Sequence, residues 1–78
     1  MAAVTVRYWA GAQRAAGVER ESLDVSTVAE LRALLAGRPE LSRIAVVASF
    51  LVDGGRAGDH TELHDGVEVD VLPPFAGG

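Results

Sequence analysis

The fold of this chain is decided by its C-terminal segment, where an alternating stretch runs directly into a proline-rich tail, Val67-Glu68-Val69-Asp70-Val71-Leu72-Pro73-Pro74-Phe75-Ala76-Gly77-Gly78. Valines that alternate with acidic residues have the period of two of a β-strand with one buried face. Residues 67–71 therefore predict a central strand whose valines point inward. Because proline cannot donate to a sheet ladder, the strand must end before Pro73.

The tail, residues 73–78, is predicted to leave the domain as a flexible, extended arm. Prolines favour the polyproline conformation, and a stretch of this length reaches about 20 Å when extended. Gly77 and Gly78 lack side chains, so the backbone can enter a slot too narrow for other residues. The α-carboxylate of Gly78 is ionised at neutral pH, and a partner enzyme must activate it before it can react. Terminal glycines can also be merely disordered, but the prolines and Phe75 favour a working tail.

A first strand is predicted over residues 4–9, again from alternation. Its inward side chains are Val4, Val6 and Tyr8. Arg7 and Trp9 fall on the outer face, where a large apolar ring covers a neighbour or anchors a partner. Arg7 and Trp9 are therefore candidate partner-binding residues. The alternative is that Trp9 packs under a loop as part of the core.

A second strand and a helix follow. Residues 19–25 predict a strand that forms a hairpin with the first, and Gly11 and Gly17 bracket the loop or helical turn between them. Thr27 and Glu30 have the spacing of a capping box, which predicts a helix start. One face of this helix repeats apolar residues at helical spacing, namely Val28, Leu31, Leu34 and Leu35. Gly37 suits the left-handed position that ends a helix.

Two further strands complete the predicted sheet. The apolar run of residues 44–52 predicts a strand over residues 47–52, closed by a tight turn at residues 53–55. Residues 56–61 are predicted to be irregular, Leu63 is predicted to plug the core, and residues 65–66 predict another turn before the last strand. The order strand, strand, helix, strand, strand indicates an α+β domain over residues 1–72, with one helix on one face of a small mixed sheet. The first and last strands would be parallel neighbours.

The composition describes one small globular domain and excludes several classes of protein. The chain has no cysteine, which excludes disulfides, thiolate zinc sites and thiol nucleophiles. Its net charge of −4, without a basic run, argues against nucleic acid or an anionic membrane and mildly favours a basic protein partner. The longest apolar run is too short to span a bilayer, and the N-terminus does not resemble a signal peptide. A cytoplasmic location is expected.

The sequence offers no catalytic apparatus of its own. The glycine-rich stretch of residues 53–58 lacks the Gly-Lys-Ser/Thr ending of a phosphate-binding loop and is better interpreted as a hairpin turn. His60 and His64 are four residues apart, but no third ligand follows at helical spacing, so no metal site is predicted. With both histidines in one loop, a Ser-His-Asp arrangement is not credible.

In this order, the helix start Thr27-Val28-x-Glu30-Leu31, the Asp65-Gly66 turn, the alternating strand and the Pro-Pro-x-x-Gly-Gly end resemble the small, sulfur-carrying subunit of molybdopterin synthase. The resemblance covers the whole chain and implies the ubiquitin-like β-grasp fold. Gly-Gly alone is shared by several branches of sulfur carriers, whereas Pro-Pro-x-x-Gly-Gly is typical of the molybdopterin branch. Val67 departs from the pattern, since relatives often carry a second acidic residue there.

The resemblance implies that an activating enzyme adenylates the Gly78 carboxylate with MgATP and that a sulfur donor converts it to a thiocarboxylate. The synthase large subunit would then pass the sulfur to a cyclic pterin precursor. This chain would bind no cofactor itself. The residues implied in partner binding, together with Arg7 and Trp9, are Pro73, Pro74, Phe75, Ala76 and Gly77.

Three alternatives stay open at this point. The chain could carry sulfur for thiamine thiazole or for cysteine synthesis, which would differ only in the partner. It could be a modifier conjugated to lysines, as ubiquitin is. It could also be a binding module with an inert tail.

Overall fold

The computed structural model describes residues 2–74 and contains one five-stranded sheet, with helices in the connections between strands along the chain. The elements, in chain order, are β1 (Ala2–Tyr8), α1 (Ala10–Ala16), β2 (Arg20–Val25), α2 (Val28–Ala36), α3 (Ser42–Val47), β3 (Ser49–Val52), β4 (Gly55–Ala57) and β5 (Glu68–Leu72). None of the helices in residues 2–74 is long and apolar enough to cross a membrane.

The last strand lies at the centre of the sheet, in the order β2-β1-β5-β3-β4. It runs parallel to β1, with Val6 opposite Val69, and antiparallel to β3, with Phe50 opposite Val71. The predictions of a central last strand and of parallel first and last strands are therefore confirmed. Since parallel strands end at the same edge, β1 and β5 finish together. We refer to this edge, formed by Tyr8, Leu72 and Ser49, as the tail end of the sheet.

The core lies between the sheet and the helices. The alternating valines supply it from β1 and β5, as predicted, because Val4, Val6, Val69 and Val71 are all buried. From α2, Leu31 and Leu35 pack into the same cluster, and each burial stabilises the fold by about 1.5–3 kcal/mol. Leu63 is buried, which confirms its predicted role.

Helix α2 begins as predicted but differs from expectation at two positions. The hydroxyl of Thr27 accepts a hydrogen bond from the Glu30 N–H at 3.1 Å, and the Glu30 carboxylate accepts one from the Ser26 N–H at 2.6 Å. Leu34 was predicted on the buried face and is exposed, because it lies about 90° from the centre of the stripe formed by the buried residues. Gly37 was predicted to be left-handed, but its φ of −77° is right-handed because the chain continues into further turns.

The apolar run of residues 44–52 was predicted to form a strand from Val47 onward, and this prediction is wrong over its first part. The structure has helix α3 up to Val47 and begins β3 at Ser49. A long-range contact fixes this helix, since Arg32 of α2 donates to the carbonyl oxygens of Ala45 at 2.8 Å and Ala48 at 3.0 Å. A short apolar run does not by itself distinguish helix from strand.

The remaining differences concern connections. The predicted turn after β3 is confirmed, with positive φ at Asp53 and Gly54, as a tight hairpin requires. Residues 55–57, partly predicted as irregular, form the edge strand β4. Strands β1 and β2 pair antiparallel as predicted, but α1 lies between them, and it ends at Gly17 with φ 79°. Strand β5 ends at Leu72, immediately before Pro73, as predicted.

Candidate functional site

The structure brings together the described part of the predicted site at the tail end of the sheet. Trp9 is the first residue after β1, and its N–H donates to the Val71 carbonyl oxygen at 3.3 Å. Pro73, which follows β5, is buried, whereas Pro74 is exposed. The predicted site residues Phe75, Ala76, Gly77 and Gly78 lie outside the described residues.

A carboxylate that the sequence analysis missed organises this region. Asp70 of β5 lies on the outer face of the sheet beside Arg7, yet only 6% of its surface is exposed. Its Oδ1 atom accepts hydrogen bonds from Arg7 Nε at 2.7 Å and from Trp9 Nε1 at 3.1 Å. Its Oδ2 atom accepts a second bond from Arg7 at 3.2 Å. We refer to Arg7, Trp9 and Asp70 as the Asp70 cluster.

In the Asp70 cluster, the Asp70 carboxylate and the Arg7 guanidinium are both ionised at neutral pH. Burial by itself raises the pKa of the Asp70 carboxyl, but the hydrogen bonds from Arg7 and Trp9 and the charge of Arg7 outweigh burial and hold this pKa below its usual value. The hydrogen bond to Asp70 in turn raises the pKa of Arg7. The two groups therefore form an ion pair close to Pro73, where the chain leaves β5. We refer to this point as the tail root.

Trp9 is held in place but left open to solvent. Its side chain is 46% exposed, which excludes the alternative that it belongs to the core. The Arg7 guanidinium carbon lies 5.6 Å from the centre of its ring, within the range of a cation–π contact. The next residue, Ala10, has a left-handed φ of 49°, which costs about 1–2 kcal/mol for a residue with a Cβ atom. This strained residue lies directly after Trp9, where the backbone changes direction between β1 and α1.

A second apolar surface lies on the other side of the tail root. Val46 and Val47 at the end of α3 are both more than half exposed. The chain enters β3 two residues later at Ser49, which pairs with Leu72 of β5. Trp9 and these valines thus approach the end of β5 from its two flanks. Only Trp9 was predicted, because Val47 was assigned to a central strand and Val46 only to the apolar run that precedes it.

A related cluster lies on the opposite, core-facing side of the sheet. Glu21 of β2 accepts a hydrogen bond from the Tyr8 hydroxyl at 2.5 Å and a bidentate pair from Arg38 at 2.7 and 3.2 Å. The bond from Arg38 is the main reason that the pKa of Glu21 is lowered. Burial, and then the Glu21 carboxylate, raise the pKa of the Tyr8 hydroxyl. We refer to Tyr8, Glu21 and Arg38 as the Glu21 cluster; it ties β1 and β2 to the segment after α2.

Within residues 2–74 we find no group of three or more metal-ligating side chains. His60 and His64 are exposed in the loop that precedes β5.

One protein family matches nearly the whole sequence, including the tail. The ThiS family matches the sequence over residues 6–78. A comparison with curated protein sequences finds no significant match.

Solved structures similar to this chain share its fold along nearly their whole length. The small archaeal modifier protein 1 from Methanosarcina acetivorans has a TM-score of 0.82 at 27% identity, covering 100% of this chain and 98% of that chain. A chain in the complex of subunits 1 and 2 of molybdopterin-converting factor from Helicobacter pylori has a TM-score of 0.76 at 26% identity, covering 97% and 99%. The putative molybdopterin converting factor subunit 1 from Pyrococcus furiosus, with a TM-score of 0.80, 22% identity and coverage of 96% and 100%, is similar in fold. The predicted ubiquitin-like β-grasp fold is confirmed.

Proposed function

The chain belongs to the ThiS family of ubiquitin-like sulfur carriers, and on that premise we propose that it is the small subunit of molybdopterin synthase. Two observations support this choice of pathway. The tail has the Pro-Pro-x-x-Gly-Gly pattern typical of that branch, and a chain of the molybdopterin-converting factor complex from Helicobacter pylori is similar at 26% identity.

The proposed reaction is confined to the carboxylate of Gly78. An activating enzyme attaches AMP to this carboxylate from MgATP and releases pyrophosphate. A sulfur donor then displaces AMP and leaves a thiocarboxylate, which is a better nucleophile than the carboxylate. In the large subunit the thiocarboxylate sulfur bonds to a carbon of the cyclic pterin precursor, and water then cleaves the acyl–sulfur bond, which leaves the sulfur on the precursor and returns Gly78 to a carboxylate. The chain itself holds no cofactor in this cycle, which we place in the cytoplasm.

The observation that carries the proposal is the position of β5. This strand lies at the centre of the sheet and is paired on both sides, by β1 and β3, so the tail begins from a firmly held strand. A rigid starting point limits the conformations that a short tail must give up when it enters a partner, and each ordered residue costs about 1–2 kcal/mol. The domain would thus present residues 73–78 to both partner enzymes from one fixed point.

Partner binding would involve the surface around this point. We propose that Trp9 and Phe75 form one docking patch, with Arg7 beside it, and that the tail beyond the buried Pro73, from Pro74 to Gly77, enters the partner's channel. The exposure of Trp9 and its fixed orientation in the Asp70 cluster support this assignment. Tryptophan and arginine are enriched among the residues that dominate protein interfaces.

The test is the mass of the chain purified from its native host. Our proposal predicts that a fraction of the chain has one carboxylate oxygen of Gly78 replaced by sulfur, and that this fraction disappears when the large subunit and the cyclic pterin precursor are added. A chain that never gains sulfur in the presence of the activating enzyme, MgATP and a sulfur donor would contradict it.

A second candidate function is conjugation to other proteins. The observation that favours it is the 27% identity with the small archaeal modifier protein 1 from Methanosarcina acetivorans. Digestion of host proteins would then yield lysines that carry a branched Gly-Gly remnant. The carriers for thiamine thiazole and cysteine synthesis share the same thiocarboxylate, so they are distinguished by which sulfur acceptor discharges it.

A further inference from the structure

We propose that a cleft between Arg7 and Arg20 receives a carboxylate side chain of the synthase large subunit. This inference rests on the proposed function, because it describes how that partner recognises the tail end of the sheet. The cleft has a volume of about 190 Å³ and is lined by Arg7, Tyr8, Trp9, Gln13, Glu19 and Arg20. This volume is below the range of about 300–1,000 Å³ typical of small-molecule sites and is suited to a single side chain.

The first argument is the juxtaposition of two positive charges. Arg7 of β1 and Arg20 of β2 are direct partners in the antiparallel pair, so their side chains emerge on the same face of the sheet. Like charges placed directly opposite each other destabilise a sheet. A local rule broken in this way points to a functional surface. A carboxylate bound between the two guanidinium groups would relieve the repulsion.

The second argument is that donors remain available. Arg7 uses Nε and one terminal nitrogen to bind Asp70, and its other terminal nitrogen is 3.9 Å from Glu68, beyond hydrogen-bond range. Arg20 is more than half exposed, and its ion pair with Glu19 is loose at 4.0 Å. Exposed pairs of this kind contribute little. Asp70 does not line the cleft, and its carboxylate is already hydrogen-bonded to Arg7 and Trp9.

The third argument is position. The cleft includes Trp9, whose backbone is bonded to Val71 of β5, so it lies beside the tail root. A partner that encloses Gly78 must approach to within the reach of the tail, about 20 Å from Leu72. An interface of ordinary size, about 800 Å² on each partner, would then cover the cleft.

The net charge of −4 by itself disfavours binding of a further carboxylate, so the positions of the acidic residues matter. Four of the eight exposed carboxylates within residues 2–74, those of Asp24, Asp53, Glu62 and Asp65, lie at the other end of the sheet, where β1 and β5 begin, whereas Glu19 lines the cleft. Half of the exposed carboxylates therefore lie away from the cleft, where Arg7 and Arg20 outnumber Glu19, and the basic partner surface that the net charge suggested is not required there.

The experiment measures binding of the full chain to the large subunit of molybdopterin synthase by isothermal titration calorimetry at low and high salt. The variant is Arg20→Glu. Arg56→Glu is the matched control, because it makes the same charge change on the same face of the sheet but on β4, four strand spacings or about 19 Å from β2. We expect Arg20→Glu to weaken binding at least about tenfold and to reduce its salt dependence, and Arg56→Glu to weaken it less than about threefold.

A second measurement excludes a general loss of folding. Since Arg20→Glu replaces a repulsion with an attraction to Arg7, the free variant should be at least as resistant to heat as the original chain. Reversal of one acidic residue of the large subunit to arginine should then restore binding to the Arg20→Glu chain, which identifies the carboxylate.

The outcomes separate this inference from the proposed function. Equal weakening by Arg20→Glu and Arg56→Glu would show a general charge effect and overturn the inference alone. Unchanged binding to the large subunit with slower adenylation would assign the cleft to the activating enzyme and also overturn it. Failure of the original chain to bind the large subunit, or to gain sulfur, would overturn the proposed function and the inference with it.

Discussion

Two clusters in this domain use the same chemistry for different ends. In each, a carboxylate accepts hydrogen bonds from one arginine and one aromatic side chain: Asp70 from Arg7 and Trp9, and Glu21 from Arg38 and Tyr8. They lie on opposite faces of the sheet. Tyr8 is 1% exposed, whereas Trp9 is 46% exposed. The difference indicates that the Glu21 cluster holds the fold together and that the Asp70 cluster holds a side chain ready for a partner.

The largest expected effect is on stability, at the Glu21 cluster. Tyr8→Ala removes a fully buried aromatic ring and should lower the free energy of unfolding by about 3–5 kcal/mol, as for other large core side chains. Urea denaturation would measure it. Tyr8→Phe keeps the ring and removes only the hydroxyl, so it should cost about 1 kcal/mol. Equal losses for the two variants would show that the hydroxyl, and not the packing, dominates.

The next effect is on binding, at the Asp70 cluster. Trp9→Ala should weaken the complex with the large subunit by at least about thirtyfold, the equivalent of about 2 kcal/mol, because exposed tryptophans at interfaces are frequent anchors. Its melting temperature should hardly change, since the ring is half exposed. Leu34→Ala, on the exposed side of α2, is the control and should leave affinity within about threefold. A large fall in melting temperature with unchanged affinity would make the two clusters alike and our comparison wrong.

The smallest effect is the response to acid, which both clusters should share. The folded pKa values of Glu21 and Asp70 are lowered, so their contribution is complete above the unfolded values of about 4 and is lost as the pH falls through the folded values. Unfolding by urea should therefore become easier below about pH 4. Glu21→Gln and Asp70→Asn should each flatten this dependence, whereas at neutral pH only Asp70→Asn should weaken partner binding. A pH profile that neither variant changes would show that other carboxylates control acid stability.

Much of the fold could be predicted because the sheet follows a local pattern. The inward valines of β1 and β5 and the turns at Gly54 and Gly66 are specified by neighbouring residues, and all were found. Helix α3 was missed because its end depends on Arg32, a residue of another helix. Leu34 was misplaced because it sits at the margin of the apolar stripe, where the helical period alone does not decide burial.

The site was predicted only in part, for a similar reason. Trp9 and Arg7 were identified from alternation, but Asp70 looked like an ordinary exposed position of β5. The signal that could have found it was present, because the predicted parallel pairing of β1 and β5 sets Arg7 beside Asp70 once Val6 is aligned with Val69. Arg20 needed the register of β2 as well. The roles assigned to residues 75–78 lie outside the described residues and stay predictions.

The central claim is that sulfur is carried on the α-carboxylate of Gly78, and its most direct test is a chain extended by one alanine after Gly78. The body of the domain, with both clusters, is unchanged in this variant, so it should fold normally and still bind the large subunit. Conversion of the cyclic pterin precursor is measured with purified partners and MgATP, and the mass of the chain is checked for processing. Our account predicts complete loss of conversion. Full turnover by the extended, unprocessed chain would contradict it.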